Sequence, residues 1–111
     1  MVFDSRIAER IREAVASEPD VTERKMFGGL AFLLRGNMAM AASSKGGLMI
    51  RTDAAAASVL VDETPAEYVE MRGRQMHGWL HLAAADVESD HELAIWVNRA
   101  LNYATTFPSK S

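Results

Sequence analysis

Short apolar runs separated by glycines fill residues 25–50. Runs of this length are typical of β-strands, because a helix needs a longer stretch with apolar residues at helical spacing. The Arg35-Gly36-Asn37 step predicts a first tight turn, with Gly36 and Asn37 at positive φ, and residues 43–47 predict a second reversal. Gly28-Gly29 predicts a bulge or a close backbone crossing near the start of the first strand. We therefore expect three strands in a meander.

Two amphipathic segments and an alanine-rich one predict helices around these strands. Residues 5–17 carry apolar side chains at helical spacing, with Asp4 as the expected N-cap. Asp53 is expected to cap a short helix through the alanine run that follows it. Residues 90–106 form the clearest helical stripe, and Ser89 together with the glutamate three residues after it matches a capping box.

A second hairpin is predicted by residues 68–71 and 76–82, with a turn centred on Gly73. The resulting element order is α-β-β-β-α-β-β-α. Because strands joined by hairpins pair antiparallel, we expect an α+β fold with a mostly antiparallel sheet and helices packed on it. The chain of 111 residues allows one domain, which we place at residues 1–108, followed by a loose tail at residues 109–111.

Composition narrows the compartment and the class of partner. With 15 acidic and 12 basic side chains the formal net charge is -3, which disfavours nonspecific binding to nucleic acid. Cysteine is absent, and the first residues lack the positive-then-apolar order of a signal peptide. No apolar run approaches the roughly 20 residues that cross a bilayer. We therefore expect a cytoplasmic protein that does not bind membranes.

Residue types that carry catalysis or bind metals do not occur at the spacings that such chemistry requires. His77 and His81 lie in a predicted strand, where this separation is about 13 Å and too long for one metal ion. The chain has no hydrolase serine motif, and Gly28-Gly29 lacks the rest of a phosphate-binding loop. We therefore predict a protein that is not an enzyme and that has no catalytic residue, metal or cofactor.

A local basic patch is one candidate binding site. It requires the ends of the first and fourth predicted strands to come together, with an aromatic ring beside them as a stacking surface. Its candidate cations are Arg24, Lys25, Arg72 and Arg74, and its candidate rings are Phe27 and Trp79.

The methionines are a second candidate feature. The chain has seven, and the first three predicted strands hold Met26, Met38, Met40 and Met49. Methionine fills irregular gaps in a core, and it also provides adaptable surfaces that accept partners of varied shape. The sequence leaves both interpretations open.

Several motifs resemble the N-terminal domain of the TfoX/Sxy family, the bacterial regulators of competence. The run Arg-Lys-Met-Phe-Gly-Gly at residues 24–29, followed by Gly36-Asn37-Met38, carries the most specific part of the resemblance. Residues 48–53 and 73–79 are similar to later strands of that domain, and residues 93–97 to its final helix. The resemblance covers almost the whole chain and implies a fold similar to that of type III secretion chaperones, in the element order predicted above.

The resemblance implies a stand-alone, noncatalytic regulatory or adaptor domain that binds a protein partner, with a homodimer also open. The candidate contact residues are Arg24, Lys25, Met26, Phe27, Gly28, Gly29, Arg72, Arg74 and Trp79. One alternative is a small-molecule sensor or weak enzyme, with a pocket between the sheet and the last helix near His77, Trp79 and Trp96. The other alternative is nucleic-acid binding through the basic patch.

Overall fold

The computed structural model describes residues 5–26 and 28–108. Over these residues the chain forms α1 (Ser5–Ala14), β1 (Val21–Met26), β2 (Gly29–Leu34), β3 (Asn37–Ala42), β4 (Leu48–Arg51), α2 (Ala54–Glu63), β5 (Glu67–Met71), β6 (Arg74–Leu82) and α3 (Asp90–Ala104). A single 3-10 turn, Ala84–Val87, precedes α3 in this described part. The α+β class is confirmed. The predicted cap Asp4 and the tail at residues 109–111 lie outside the described residues.

β1 is a strand that the sequence did not predict. Its burial pattern explains this: all of its residues are exposed except the first and last, so no apolar alternation marks it. Gly28, at φ 76°, lies in the turn between β1 and β2, so the predicted bulge is instead a tight turn. The predicted close crossing is correct for Gly29, where a Cβ would lie 2.6 Å from the carbonyl oxygen of Ala42.

The turn between β2 and β3 is shifted by one residue from its predicted position. Arg35 at φ 52° and Gly36 at φ 84° form it, whereas Asn37 begins β3. Positive φ at both positions matches a two-residue turn whose twist suits the flanking strands. Asn37 is buried, and its side-chain Nδ2 donates to the carbonyl oxygen of Pro108 at 2.9 Å.

The six strands described form one sheet in the order β1-β2-β3-β4-β6-β5, with every neighbouring pair antiparallel. All three helices pack against one face of this sheet, because the main core cluster joins their buried residues to alternate residues of the strands. Phe32, Met40, Ile50 and Leu80 are core residues on neighbouring strands, and each is at most 1% exposed.

Polar side chains fix the ends of the helices. The carboxylate of Asp53 accepts from the backbone N–H of Ala56 at 3.1 Å, which confirms the predicted cap of α2. Ser89 Oγ accepts from the backbone N–H of Glu92 at 3.0 Å at the start of α3. No described helix combines the length and the apolar character that a bilayer crossing requires.

An ion pair joins α1 to the outer strand β1. Arg12 donates through Nε to Glu23 Oε2 at 2.7 Å and through Nη2 to Glu23 Oε1 at 2.9 Å, and it also contacts Glu9. The hydrogen bond from Arg12 lowers the pKa of the Glu23 carboxyl. The pair therefore stabilises an edge strand that buries few apolar side chains.

A candidate binding groove lined by methionines

A row of register partners crosses all six described strands on the face of the sheet that the helices leave uncovered. The members on β2, β3, β4 and β6 each precede or follow a core residue in their strand, so their side chains lie on the opposite face, and the members on β1 and β5 join the row as register partners. In strand order the row is Arg24, Ala31, Ala41, Met49, His81 and Glu67. At ~4.8 Å between strands the row is about 24 Å long. Its centre is apolar and its two ends are charged.

This face carries a groove of about 980 Å³, which we call the methionine groove. Five of the six methionines among the described residues line it: Met26, Met38, Met49, Met71 and Met76. Residues of the two outermost strands, β1 and β5, meet in this one groove, so the sheet curves around it. The floor is formed by small buried residues, since Ala31 is 1% and Ala41 is 8% exposed.

The methionines of the groove differ in exposure. Met26, Met38 and Met49 are half-buried and pack against the small cluster of Ala31, Leu33 and Ala41, to which no described helix contributes. Met71 is 38% and Met76 is 37% exposed. Met40 lies in the main core at 0% exposure. Met40 therefore confirms the core interpretation for one residue, whereas the methionines of the groove lie on the uncovered face of the sheet, where a role in binding a partner stays a prediction.

The loop between β3 and β4 closes one end of the methionine groove. Its Gly47 has φ 81°, and a Cβ there would lie less than 3.0 Å from the carbonyl oxygen of Leu82. The Nε2–H of His81 donates to the carbonyl oxygen of Gly46 at 2.8 Å. Lys45 lies in this loop, where its backbone N–H donates to Ser43 Oγ at 3.1 Å. The loop is thus held against the end of β6, and it places a cation there.

The hairpin turn between β5 and β6 lies at the other end of β6. Arg72 at φ 54° and Gly73 at φ 78° form a two-residue turn, as predicted around Gly73, and Arg74 begins β6. The register shifts between Tyr68 and Val69, so that part of β6 has no partner in β5. Such irregularities bend a strand. Arg72 and Arg74 both line the methionine groove.

The groove carries charge at its ends and along one side. Its lining cations are Lys45, Arg72 and Arg74, and its lining carboxylates are Glu67 and Glu70 of the outer strand β5. Among the ion pairs of the described residues, none involves these three cations. The groove is thus more basic than the chain, whose formal net charge is -3.

The structure brings together only part of the predicted contact set. Met26, Gly29, Arg72 and Arg74 line the methionine groove, and Arg24 belongs to the row that crosses its face. The other candidates are placed elsewhere or lie beyond the description. Lys25 is the register partner of the core residue Leu30 and therefore lies on the helix face of the sheet. Gly28 lies in the turn between β1 and β2, and Trp79 is the register partner of Arg51 on β4. Phe27 is outside the described residues.

The predicted basic patch is not assembled as one surface, because Arg24 and Lys25 lie on opposite faces of β1 and neither lines the groove that Arg72 and Arg74 line. The predicted pocket beside the last helix is not formed as expected either. Trp96 is 2% exposed, and it lines a cleft of about 390 Å³ with Glu63, Asp86 and Arg99. His77 instead packs against the ring of Tyr68, with 5.2 Å between centroids. No group of three potential metal ligands occurs among residues 5–26 and 28–108.

The outer wall of the groove was not predicted from the sequence. Met71 directly precedes the second hairpin turn and Met76 lies three residues after it, and the presence of a methionine on each arm of the hairpin is the signal that could have identified them. The sequence does not indicate that β6 pairs with β4, and this pairing joins the hairpin of β5 and β6 to the sheet formed by β1 to β4.

Comparison with known proteins gives one match. The family of the TfoX N-terminal domain matches residues 13–104, a range that contains every described strand and the helices α2 and α3. No curated protein and no solved structure matches this chain.

Proposed function

Because this chain belongs to the TfoX N-terminal domain family, we propose that it is a noncatalytic regulatory or adaptor domain that binds another protein in the methionine groove. The family makes it a competence-regulator-like domain. Its partner, in this proposal, is a component of the transcription machinery or another cytoplasmic regulator in a bacterium.

The placement of five of the six described methionines in one groove is the observation that carries the proposal. A methionine side chain has several rotatable bonds and a polarisable sulfur, so it adapts to apolar partners of different shape. The helices already fill the opposite face of the sheet with a continuous core. Folding therefore does not require Met71 and Met76 to remain apolar, whereas a partner surface does.

Glutamate substitutions at the two exposed methionines test the proposal. The double variant Met71→Glu/Met76→Glu places charges in the groove without entering the core, since both side chains are more than one third exposed. Val59→Glu is the matched control, because Val59 is an exposed apolar residue on α2 at 52% exposure and does not line the groove. Circular dichroism and thermal unfolding first verify that both variants are folded.

Each protein is then used as bait in lysate from the source bacterium, with captured proteins identified by mass spectrometry and their affinities measured with purified components. We expect a partner that binds the unsubstituted protein and the Val59→Glu variant with similar Kd and binds the double variant at least tenfold more weakly. A partner that binds all three proteins equally would contradict the use of the groove. Capture of no specific protein would contradict the adaptor function itself.

A further inference from the structure

We propose that the occupant of the methionine groove is a short amphipathic helix of a partner protein, with acidic residues at both of its ends. This inference rests on the proposed function and adds the chemistry of the partner. It follows from the floor of the groove, from the position of its charges and from its length.

The floor of the groove favours a helix. Ala31, Ala41 and Met49 lie on β2, β3 and β4, and each of these strands is already paired on both sides. A segment bound over them therefore cannot add as a strand to the backbone beneath it, and it must satisfy its own N–H and C=O groups. A helix does so internally and presents an apolar stripe to the alanine floor and the methionine walls.

The charges favour acidic ends. Lys45 lies beside the end of β6, and Arg72 and Arg74 lie at the hairpin turn where β6 begins, so cations occupy both ends of the groove. Glu67, the first residue of β5, and Glu70, which precedes Met71, lie on the outer wall and repel acidic residues from it. The three lining cations outnumber the two glutamates, so carboxylates at the ends of the helix are attracted to the groove where they approach Lys45 and the two arginines rather than β5.

The length of the groove limits the helix to a few turns. β5 runs along the groove from Glu67, the register partner of His81, to Met71 beside the turn. The four steps from the first to the last Cα of β5 span about 13 Å at ~3.3 Å per residue. Three helical turns cover about 16 Å. The expected ligand is therefore a helix of about three turns with its acidic residues in the first and last turn.

Three synthetic peptides test the inference. They share one apolar helical stripe of about three turns and carry glutamate, glutamine or lysine at both ends. Binding is followed by NMR of ¹³C-methyl methionine, with the buried Met40 as an internal reference for a side chain outside the groove. We expect the glutamate peptide to bind about tenfold more tightly than the lysine peptide at low salt, and the ratio to fall as salt is added.

Charge reversal supplies the matched variants. Arg72→Glu/Arg74→Glu is expected to bring the ratio of the two affinities to one or to reverse it. Arg6→Glu/Lys25→Glu changes the net charge by the same amount at exposed cations outside the groove and is expected to retain the preference. Retained preference in the Arg72/Arg74 variant would overturn the inference, as would equal binding of all three peptides by the unsubstituted protein.

Other occupants give different results. Binding of the same sequence only as an extended strand along β5, seen as shifts in β5 amides without methionine shifts, would overturn the inference. A dimer in sedimentation that is lost in Met71→Glu/Met76→Glu would also overturn it, because a second copy would then fill the groove. If that double variant loses a captured protein while the peptides show no charge preference, the proposed function stands and this inference alone fails.

Discussion

Gly47→Ala tests how closely the β3–β4 loop must approach the end of β6. The added Cβ would lie less than 3.0 Å from the carbonyl oxygen of Leu82, which is backbone and cannot rotate away. The left-handed φ of 81° costs about 1–2 kcal/mol for a residue with a Cβ. Displacing the neighbouring backbone adds about 1–3 kcal/mol. We therefore expect the free energy of unfolding to fall by about 2–5 kcal/mol.

Gly73→Ala is the matched control, because Gly73 has a similar φ of 78° and a Cβ added there would meet no atom of the described residues within 4 Å. Its expected cost is the conformational part alone, about 1–2 kcal/mol. Urea unfolding followed by tryptophan fluorescence gives both values at one temperature. If Gly47→Ala costs no more than Gly73→Ala, the close approach to Leu82 does not constrain the fold, and the loop does not fix the end of the groove.

Two further predictions concern the ion pair between α1 and β1 and the N-cap of α2. Because Arg12 lowers the pKa of Glu23, the pair stabilises the fold above the ordinary pKa of 4.5, and this contribution is lost as pH falls through the lowered value in the folded state. The Glu23→Gln variant is expected to unfold at a lower urea concentration than the unsubstituted protein at pH 7, and this difference is expected to disappear at acid pH. A difference in stability that does not depend on pH would show that the ion pair with Arg12 does not stabilise the fold. Asp53→Ala removes the acceptor for the N–H of Ala56 and is expected to lower the free energy of unfolding by about 1 kcal/mol in the same assay. Asp53→Asn keeps a side-chain oxygen and is expected to retain most of this stability. An equal loss of stability in both variants would argue against capping by Asp53.

The elements with regular apolar spacing could be predicted from the sequence. The stripe of α3 and its cap Ser89 predict that helix, and apolar runs between glycines predict the strands β2, β3 and β4, because burial of one face imposes these patterns. β1 has no such pattern, since it is an edge strand whose middle residues are exposed. β1 forms because it pairs with β2, and the sequence of β1 alone does not indicate this pairing.

The candidate site was less predictable than the fold. Of the described residues in the run 24–29, which the sequence motif singles out, only Met26 and Gly29 line the groove. Neighbouring residues of a strand point to opposite faces, so Arg24 and Lys25 lie on different sides of the sheet. Only the register with β2 shows which of the two lies on the groove face. The second half of the site depends on contacts between distant strands, for which a sequence holds no periodic signal.

The hairpin of β5 and β6 extends past the rest of the sheet. β4 ends at Arg51, whose register partner is Trp79, and the next residue, Thr52, donates its backbone N–H to the carbonyl oxygen of Gly78 at 3.0 Å, so residues 74–77 of β6 have no partner on that side among the described strands. A two-stranded ribbon has little stability of its own in water. A bound helix would supply the missing contacts and bury Met71 and Met76. Association should therefore show a negative heat-capacity change and slower amide exchange in the ribbon, while exchange in the helices stays constant.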